Sequence, residues 1–248
     1  MELDKQKGHL HPISHAILEI SGIFAEMGFR IAEGPELETE FYNFDALNIP
    51  VDHPARDMQD TFWLKKPKNY KLQITNNKKE GKSERPVLRT HTSGVQVREM
   101  EKGELPLRII VPGKVFRNEA TDATHEVQFY QLEGLMVDKE VSLAHLKGVL
   151  TNFFEQFLGK DTEIRFRPSF FPFTEPSVEV DVKFKNRWLE MMGAGLVHPN
   201  VLQSAGVNSE KWQGFAFGGG LDRLVMVKYG IEDVRLLYSG DLRLINQF

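Results

Sequence analysis

The run Gly214-Phe-Ala-Phe-Gly-Gly-Gly-Leu-Asp-Arg223 constrains this chain more than any other stretch. Three consecutive glycines, Gly218 to Gly220, let a backbone come very close to whatever lies against it. The apolar spacing of a helix follows at once, from Leu221 to Tyr229, so Arg223 falls on that helix's first turn. Earlier in the chain, Phe116-Arg-Asn-Glu119 closes an apolar strand, Ile109 to Phe116. Two fixed guanidinium groups beside a glycine-lined strand suit a bent, charged nucleotide. Arginine makes planar, bidentate, permanently charged contacts with phosphate and also stacks on rings.

The segment after Phe116 points the same way. Strands 107–116 and 129–137 flank Arg117 to Gln128, which carries Arg117, Glu119, Thr121, Asp122, Thr124, His125 and Glu126. A hairpin loop so rich in ionisable groups is unusual unless it binds something. Segments 163–168, 178–184 and 188–192 also read as strands. Val178-Glu-Val-Asp-Val-Lys-Phe184 alternates, with one face buried and the other polar. Pro12 to Gly28 reads as an amphipathic helix, with Pro12 suited to its first position and Gly28 to its stop. It leads into a short strand, Phe29 to Ala32, and then Gly34-Pro35. Ser142 to Leu158 is a second such helix, capped by Ser142 and ended by Gly159. Its stripe of Leu143, Leu146, Val149, Leu150, Phe153, Phe154 and Phe157 reads as core. No βαβ crossover with a phosphate-loop pattern joins any two strands. The expected class is therefore α+β, an antiparallel sheet flanked by helices. With 248 residues, 41% of them hydrophobic, a single domain over residues 1–248 can bury a sizeable core.

Composition excludes several alternatives. There is no apolar run long enough for a membrane span and no signal-peptide pattern near the N-terminus. The absence of cysteine excludes disulfides and cysteine-ligated zinc, and the expected location is the cytoplasm. A net charge of −4 gives no global attraction to nucleic acid, so any RNA contact must come from a local patch or a partner chain. Lys65 to Arg85 carries eight basic and two acidic residues. It reads as a solvated hairpin or, alternatively, as a contact to a phosphate backbone. Asn43 to Trp63 reads as an ordered loop anchored by Phe44, Leu47, Ile49, Phe62 and Trp63. His9, His11 and His15 match no tetrahedral zinc spacing and read as polar residues at a helix entry.

Phe116-Arg-Asn-Glu119 followed by Gly214 to Arg223 resembles motifs 2 and 3 of the class II aminoacyl-tRNA synthetases. The helix, strand and proline of 12–35 resemble motif 1, a dimer-interface element. Further strings resemble the α-subunits of phenylalanyl-tRNA synthetase in particular. These are Thr90-His-Thr-Ser93, Gln131-Leu-Glu-Gly134, Phe170-Phe-Pro-Phe-Thr-Glu-Pro176 and Gly193-Ala-Gly-Leu-Val-His-Pro-Asn200. The resemblance runs from Gly8 to Phe248. It departs at Thr174 and Ser177, where the family has Val and Gly, and at Asn118, where an aromatic is usual. The sequence is also expected to lack the helical coiled-coil arm with which bacterial α-subunits begin and hold tRNA, which would impair charging more than amino-acid activation.

The resemblance implies an ATP-dependent ligase that activates L-phenylalanine to its adenylate and transfers it to the 2′-hydroxyl of tRNA(Phe). It implies that Arg117 contacts the α-phosphate, Glu119 reads the adenine amino group and His125 reaches the distal phosphates. Phe129 and Arg223 would sandwich the adenine, over a floor that includes Gly218 and Gly220. Arg117 and Arg223 are the catalytic pair. For the amino acid, it implies that Gln131, Glu133, Ser93 and His91 hold the ammonium group. Phe171 and Phe173 would meet the benzyl ring, with Ala216 at the pocket floor. Mg²⁺ would take Glu175, completed by a carboxylate from a β-subunit, with Glu190 a further candidate. The implied partners are tRNA(Phe), the β-subunit and a second α-chain within an (αβ)₂ assembly, with no membrane. Two other readings stay open. One is a minimal α-core that mainly dimerises or binds and needs a β-subunit for activity. The other is a related class II enzyme for phosphoserine or pyrrolysine. The Phe-Pro-Phe segment, with no extra basic cluster in the pocket strings, argues against phosphoserine.

Overall fold

The computed structural model describes residues 8–56, 60–65 and 85–248. Most of the basic Lys65 to Arg85 stretch therefore lies outside the described residues. The strands are β1 (Arg30–Ile31), β2 (Leu37–Thr39), β3 (Pro86–Leu88), β4 (Leu107–Phe116), β5 (Gln128–Asp138), β6 (Ile164–Phe171), β7 (Thr174–Phe184), β8 (Arg187–Val197) and β9 (Gln213–Gly220). The helices are α1 (Pro12–Glu26), α2 (Glu40–Asn43), α3 (Ser93–Glu101), α4 (Leu143–Leu158), α5 (Pro199–Ser204), α6 (Leu221–Tyr229) and α7 (Leu242–Ile245).

Seven strands form one sheet in the order β1-β4-β5-β9-β8-β7-β6. β1 pairs with β4 in parallel, and the other neighbours are antiparallel. A separate ribbon pairs β2 with β3. The expected α+β sheet flanked by helices is thus the observed architecture. The helix ends follow their sequence signals. His11 accepts the Ile13 amide ahead of Pro12 at the start of α1, and the Ser142 hydroxyl accepts the His145 amide at the start of α4. His11 also bonds Leu237 O, and His15 bonds the Tyr229 hydroxyl, so these histidines tie the helix entry to the C-terminal segment.

Alternation on the strands splits the core between the two faces of the sheet. Ile110, Leu132, Phe215 and Phe217 pack beneath α1 and α4, where Phe24 lies 5.0 Å from Phe153 and 5.5 Å from Phe217 between ring centroids. Ile109, Val111, Leu135 and Val137 face the other way, against Val95 and Met100 of α3 and Leu202 of α5. On that second face the next inward positions of β5 change character to Glu133 and Gln131. The helices cover the apolar half of the face, and the polar half is the candidate site.

Candidate active site

β5 carries Phe129, Gln131 and Glu133 at alternate positions, so all three face the same side. Its partner β4 ends at Phe116, and the amide of Arg117 donates to Val127 O at 2.9 Å across the neck of the loop. The loop beyond is ordered by its own side chains. Asp122 Oδ1 accepts the amides of Thr124 (2.6 Å) and His125 (2.8 Å). Val234 N donates to Ala123 O, which pins the loop to the C-terminal segment. On the other side of β5, β9 and β8 supply a floor of backbone, with Gly218 opposite both Glu133 and Gly193. A Cβ on Gly218 would sit 2.7 Å from Glu133 Cγ, so the strand comes this close only because it has no side chain there.

Two adjoining cavities open on this floor. The larger, about 560 Å³, is lined by Arg117, Glu119, His125, Phe129, Gly220 and Arg223, among others. The smaller, about 490 Å³, is lined by His91, Ser93, Glu133, Phe171, Phe173 and Ala216, among others. Arg117, Gln131, Glu190, Gly193 and Gly218 belong to both. Every candidate residue except Glu175 therefore lines one or both of these cavities. The Phe171 and Phe173 rings stack at 5.7 Å and 9°. The Arg117 guanidinium lies 5.0 Å over the Phe129 ring. Burial draws the Arg117 pKa down, opposed by Glu119, Glu133 and Asp60.

The smaller cavity has an acceptor-rich wall. Glu133 takes three donors, Thr92 N at 2.8 Å, Ser93 Oγ at 2.5 Å and Gln96 Nε2 at 3.0 Å. Burial nevertheless pushes its carboxyl pKa up. His91 Nε2 lies 2.9 Å from Asn43 O. A carbonyl only accepts, so Nε2 carries the hydrogen and Nδ1 is left as an acceptor. Burial, then the charges of Arg117 and Arg89, lower the His91 pKa to about 4, so the ring is neutral near pH 7. His91 Nδ1 and Gln131 Oε1 are buried with no hydrogen-bond partner among the described residues. Two orphaned acceptors in one cavity suit a ligand that donates.

Glu175 and Glu190 are not brought together. The register sets Asp181 against Glu190 and Thr174 against Val197, which separates the two carboxylates by roughly 20 Å along the strands. Glu190 lines both cavities, whereas the exposed Glu175 lies 3.4 Å from His198 Nε2. Gln96, Asn43 and Asp222 were not singled out by sequence reasoning. The first could have been found from its i, i+3 spacing to Ser93, had α3 been anticipated.

Residues 2–248 match the family model described as tRNA synthetases class II core domain (F). The phenylalanine–tRNA ligase α subunit of Colwellia psychrerythraea is 52% identical over 244 residues, covering 98% of this chain and 68% of that one. The chain belongs to the phenylalanine–tRNA ligase α-subunit family. Other members of that family show the same likeness. The Vibrio cholerae subunit is 51% identical, with 98% of this chain and 69% of that one covered. The Dehalococcoides mccartyi subunit is 49% identical, with 97% and 70% covered. Among solved structures, pyrrolysyl-tRNA synthetase from Desulfitobacterium hafniense superposes with a TM-score of 0.65 at 18% identity, over 90% of this chain and 71% of that one. That likeness is one of fold alone. The phenylalanine–tRNA ligase α-subunit family therefore rests on sequence, and the class II sheet on both comparisons. Among the described residues, no helix is long and apolar enough to cross a membrane.

Proposed function

We propose that this chain activates L-phenylalanine with ATP and passes it from the adenylate to tRNA(Phe), as the α-subunit of a phenylalanine–tRNA ligase. The observation that carries the reading is the pair of cavities meeting at Arg117, Gln131 and Gly218. One has the planar cations and aromatic ring that suit a nucleotide. The other has stacked phenylalanines beside unpaired acceptors, which suits an aromatic amino acid with a free ammonium group.

In this reading the phenylalanine ammonium donates to Gln131 Oε1 and His91 Nδ1 and is balanced by the Glu133 carboxylate, while its ring meets the edges of Phe171 and Phe173 above Ala216. The substrate carboxylate oxygen attacks the α-phosphorus in line. A new P–O bond forms as the α,β-bridging P–O bond breaks, and pyrophosphate leaves toward Arg223 and His125. No general base is required, because the nucleophile is already ionised. Arg117 holds the α-phosphoryl oxygens, so the chemistry is positioning and charge stabilisation. Glu119 takes the adenine amino group, and Phe129 with Arg223 bounds its two faces.

Among the described residues no cluster of three or more His, Asp or Glu side chains is placed to hold a metal. Mg²⁺ requires only one or two carboxylates plus substrate phosphates, and Glu190 at the shared wall fits that requirement. Bound there, it would neutralise phosphate charge. Glu175 is assigned to a site completed by a β-subunit. The α-chain partner would use the α1–β1 unit, where Leu18 and Ile31 are exposed.

Amino-acid-dependent ATP–pyrophosphate exchange tests the reading. Exchange driven by phenylalanine and not by other amino acids, from the chain alone or with a β-subunit, is the expected result. A folded chain that stays silent in both conditions overturns it.

A further inference from the structure

Where β9 ends, a side chain takes over the work of the sheet. The β5–β9 ladder stops at the pair Gln131 and Gly220, because the chain turns into α6 at Leu221. The next donor of β5 on its β9 edge, the Tyr130 amide, would then have no strand to bond. It donates instead to Asp222 Oδ1 at 3.1 Å. The second oxygen, Oδ2, accepts the Tyr238 hydroxyl at 2.5 Å. Asp222 is 4% exposed and sits in the first turn of α6, where the helix dipole favours a carboxylate. One side chain therefore joins β5, α6 and the segment after Leu237.

The neighbours of these atoms give the junction its meaning. Phe129 and Gln131 flank Tyr130 on β5, and Arg223 follows Asp222 on α6. Phe129 and Arg223 line the larger cavity from two different elements, and the Asp222–Tyr130 bond is the side-chain link between those elements at that point. We propose that Asp222 is a positioning residue for the nucleotide: it sets the gap between Phe129 and Arg223, and so the affinity for the adenine-bearing substrate. This rests on the assignment of the larger cavity to ATP. Asp222 touches no reacting atom in this account. Burial raises its pKa to about 6, against the bonds from Tyr238 and Tyr130, so near neutral pH it is the carboxylate that accepts both donors.

The test is ATP binding by calorimetry together with exchange kinetics on wild type, Asp222→Ala, Asp222→Asn and Tyr238→Phe, on the full chain with a β-subunit where the wild type needs one. Asp222→Ala, which loses both bonds, is expected to weaken ATP by about tenfold or more while leaving the phenylalanine KM within about twofold. Asp222→Asn keeps an acceptor for the Tyr130 amide and is expected to recover most of that loss. Tyr238→Phe keeps the same acceptor and is expected to behave like Asn. A merely structural role would move both KM values together and make Asn no better than Ala, and that result overturns the proposal. Unchanged ATP affinity in a folded Asp222→Ala overturns it as well. If wild type binds ATP but exchanges with no amino acid, weakened ATP in Asp222→Ala still upholds the positioning role while the ligase reading falls. If wild type binds no ATP, both fall.

Discussion

Gly193→Ala tests the amino-acid cavity through one methyl group. Gly193 lies on β8 opposite Gly218, in ordinary strand conformation, so alanine meets no backbone penalty. The new Cβ would sit 2.7 Å from Cζ and 2.9 Å from Cε2 of Phe171. Carbon contacts are optimal at about 3.5–4.0 Å, so the ring must retreat by roughly 0.8 Å or more. Phe173 is stacked on it at 5.7 Å, so a shift toward that side disturbs both rings. Overpacking of this kind costs about 1–3 kcal/mol. Expressed wholly in ligand affinity, that range is about 5- to 150-fold. The assay is pyrophosphate exchange with phenylalanine and ATP varied separately. The phenylalanine KM should rise within that range while the ATP KM changes little, and any share taken by the free protein should lower its melting temperature by a few degrees. In a Phe171→Leu background the penalty should largely vanish, because the obstructing ring is gone. A phenylalanine KM unchanged in Gly193→Ala, with wild-type melting, would refute the placement of the ring against that strand.

Three other predictions follow from the same geometry. Arg117→Ala should reduce exchange by about a hundredfold or more with the fold retained by circular dichroism; near-normal exchange would show the α-phosphate site is elsewhere. Ala216→Gly should deepen the smaller cavity and admit para-chlorophenylalanine, read as a fall in discrimination of about tenfold in exchange. For His91, the folded pKa of about 4 lies below the unfolded value near 6.5. Between those values the unfolded chain binds the extra proton, so this group's contribution is complete above about pH 6.5 and is lost as pH falls toward 4, by roughly 1 kcal/mol per pH unit. Asp222, with its raised pKa, opposes that slope. The difference in urea midpoints between wild type and His91→Asn across this window should isolate the histidine, and parallel curves would exclude it.

The parts of the fold legible from sequence are those whose apolar period matches their element. α1, α4, β4, β5 and α6 appear within a few residues of where Ile20, Phe153, Ile110, Leu132 and Leu224 placed them. β7 and β8 run longer than their alternation implied. Register shifts between Thr174 and Ser177 and between Val180 and Asp181 break the two-residue period, and the glycines of 193–195 carry no pattern at all. α3 was not expected, because it buries Gln96 and Glu99 alongside Val95, Val97 and Met100, which blurs its apolar period. The two polar residues are inside because Gln96 bonds Glu133 and Glu99 bonds Arg30 and Lys102. The candidate site residues named from the sequence, Glu175 apart, line the two adjoining cavities. What could not be read was the bonding that fixes them. The tautomer of His91 depends on Asn43, distant in sequence, and the Tyr130 amide depends on where β9 stops.

The wall that the two cavities share has a consequence for how long a product stays. A molecule with an aromatic amino acid at one end and a nucleotide at the other would fill both spaces at once. Its second half would bind at the high local concentration set by a covalent tether, and such tethering raises overall affinity by about 10²- to 10⁴-fold over either part. The joined species would then depart far more slowly than the substrates arrive. Under the proposed function, such a site would hold the reactive mixed anhydride until an RNA end reaches it.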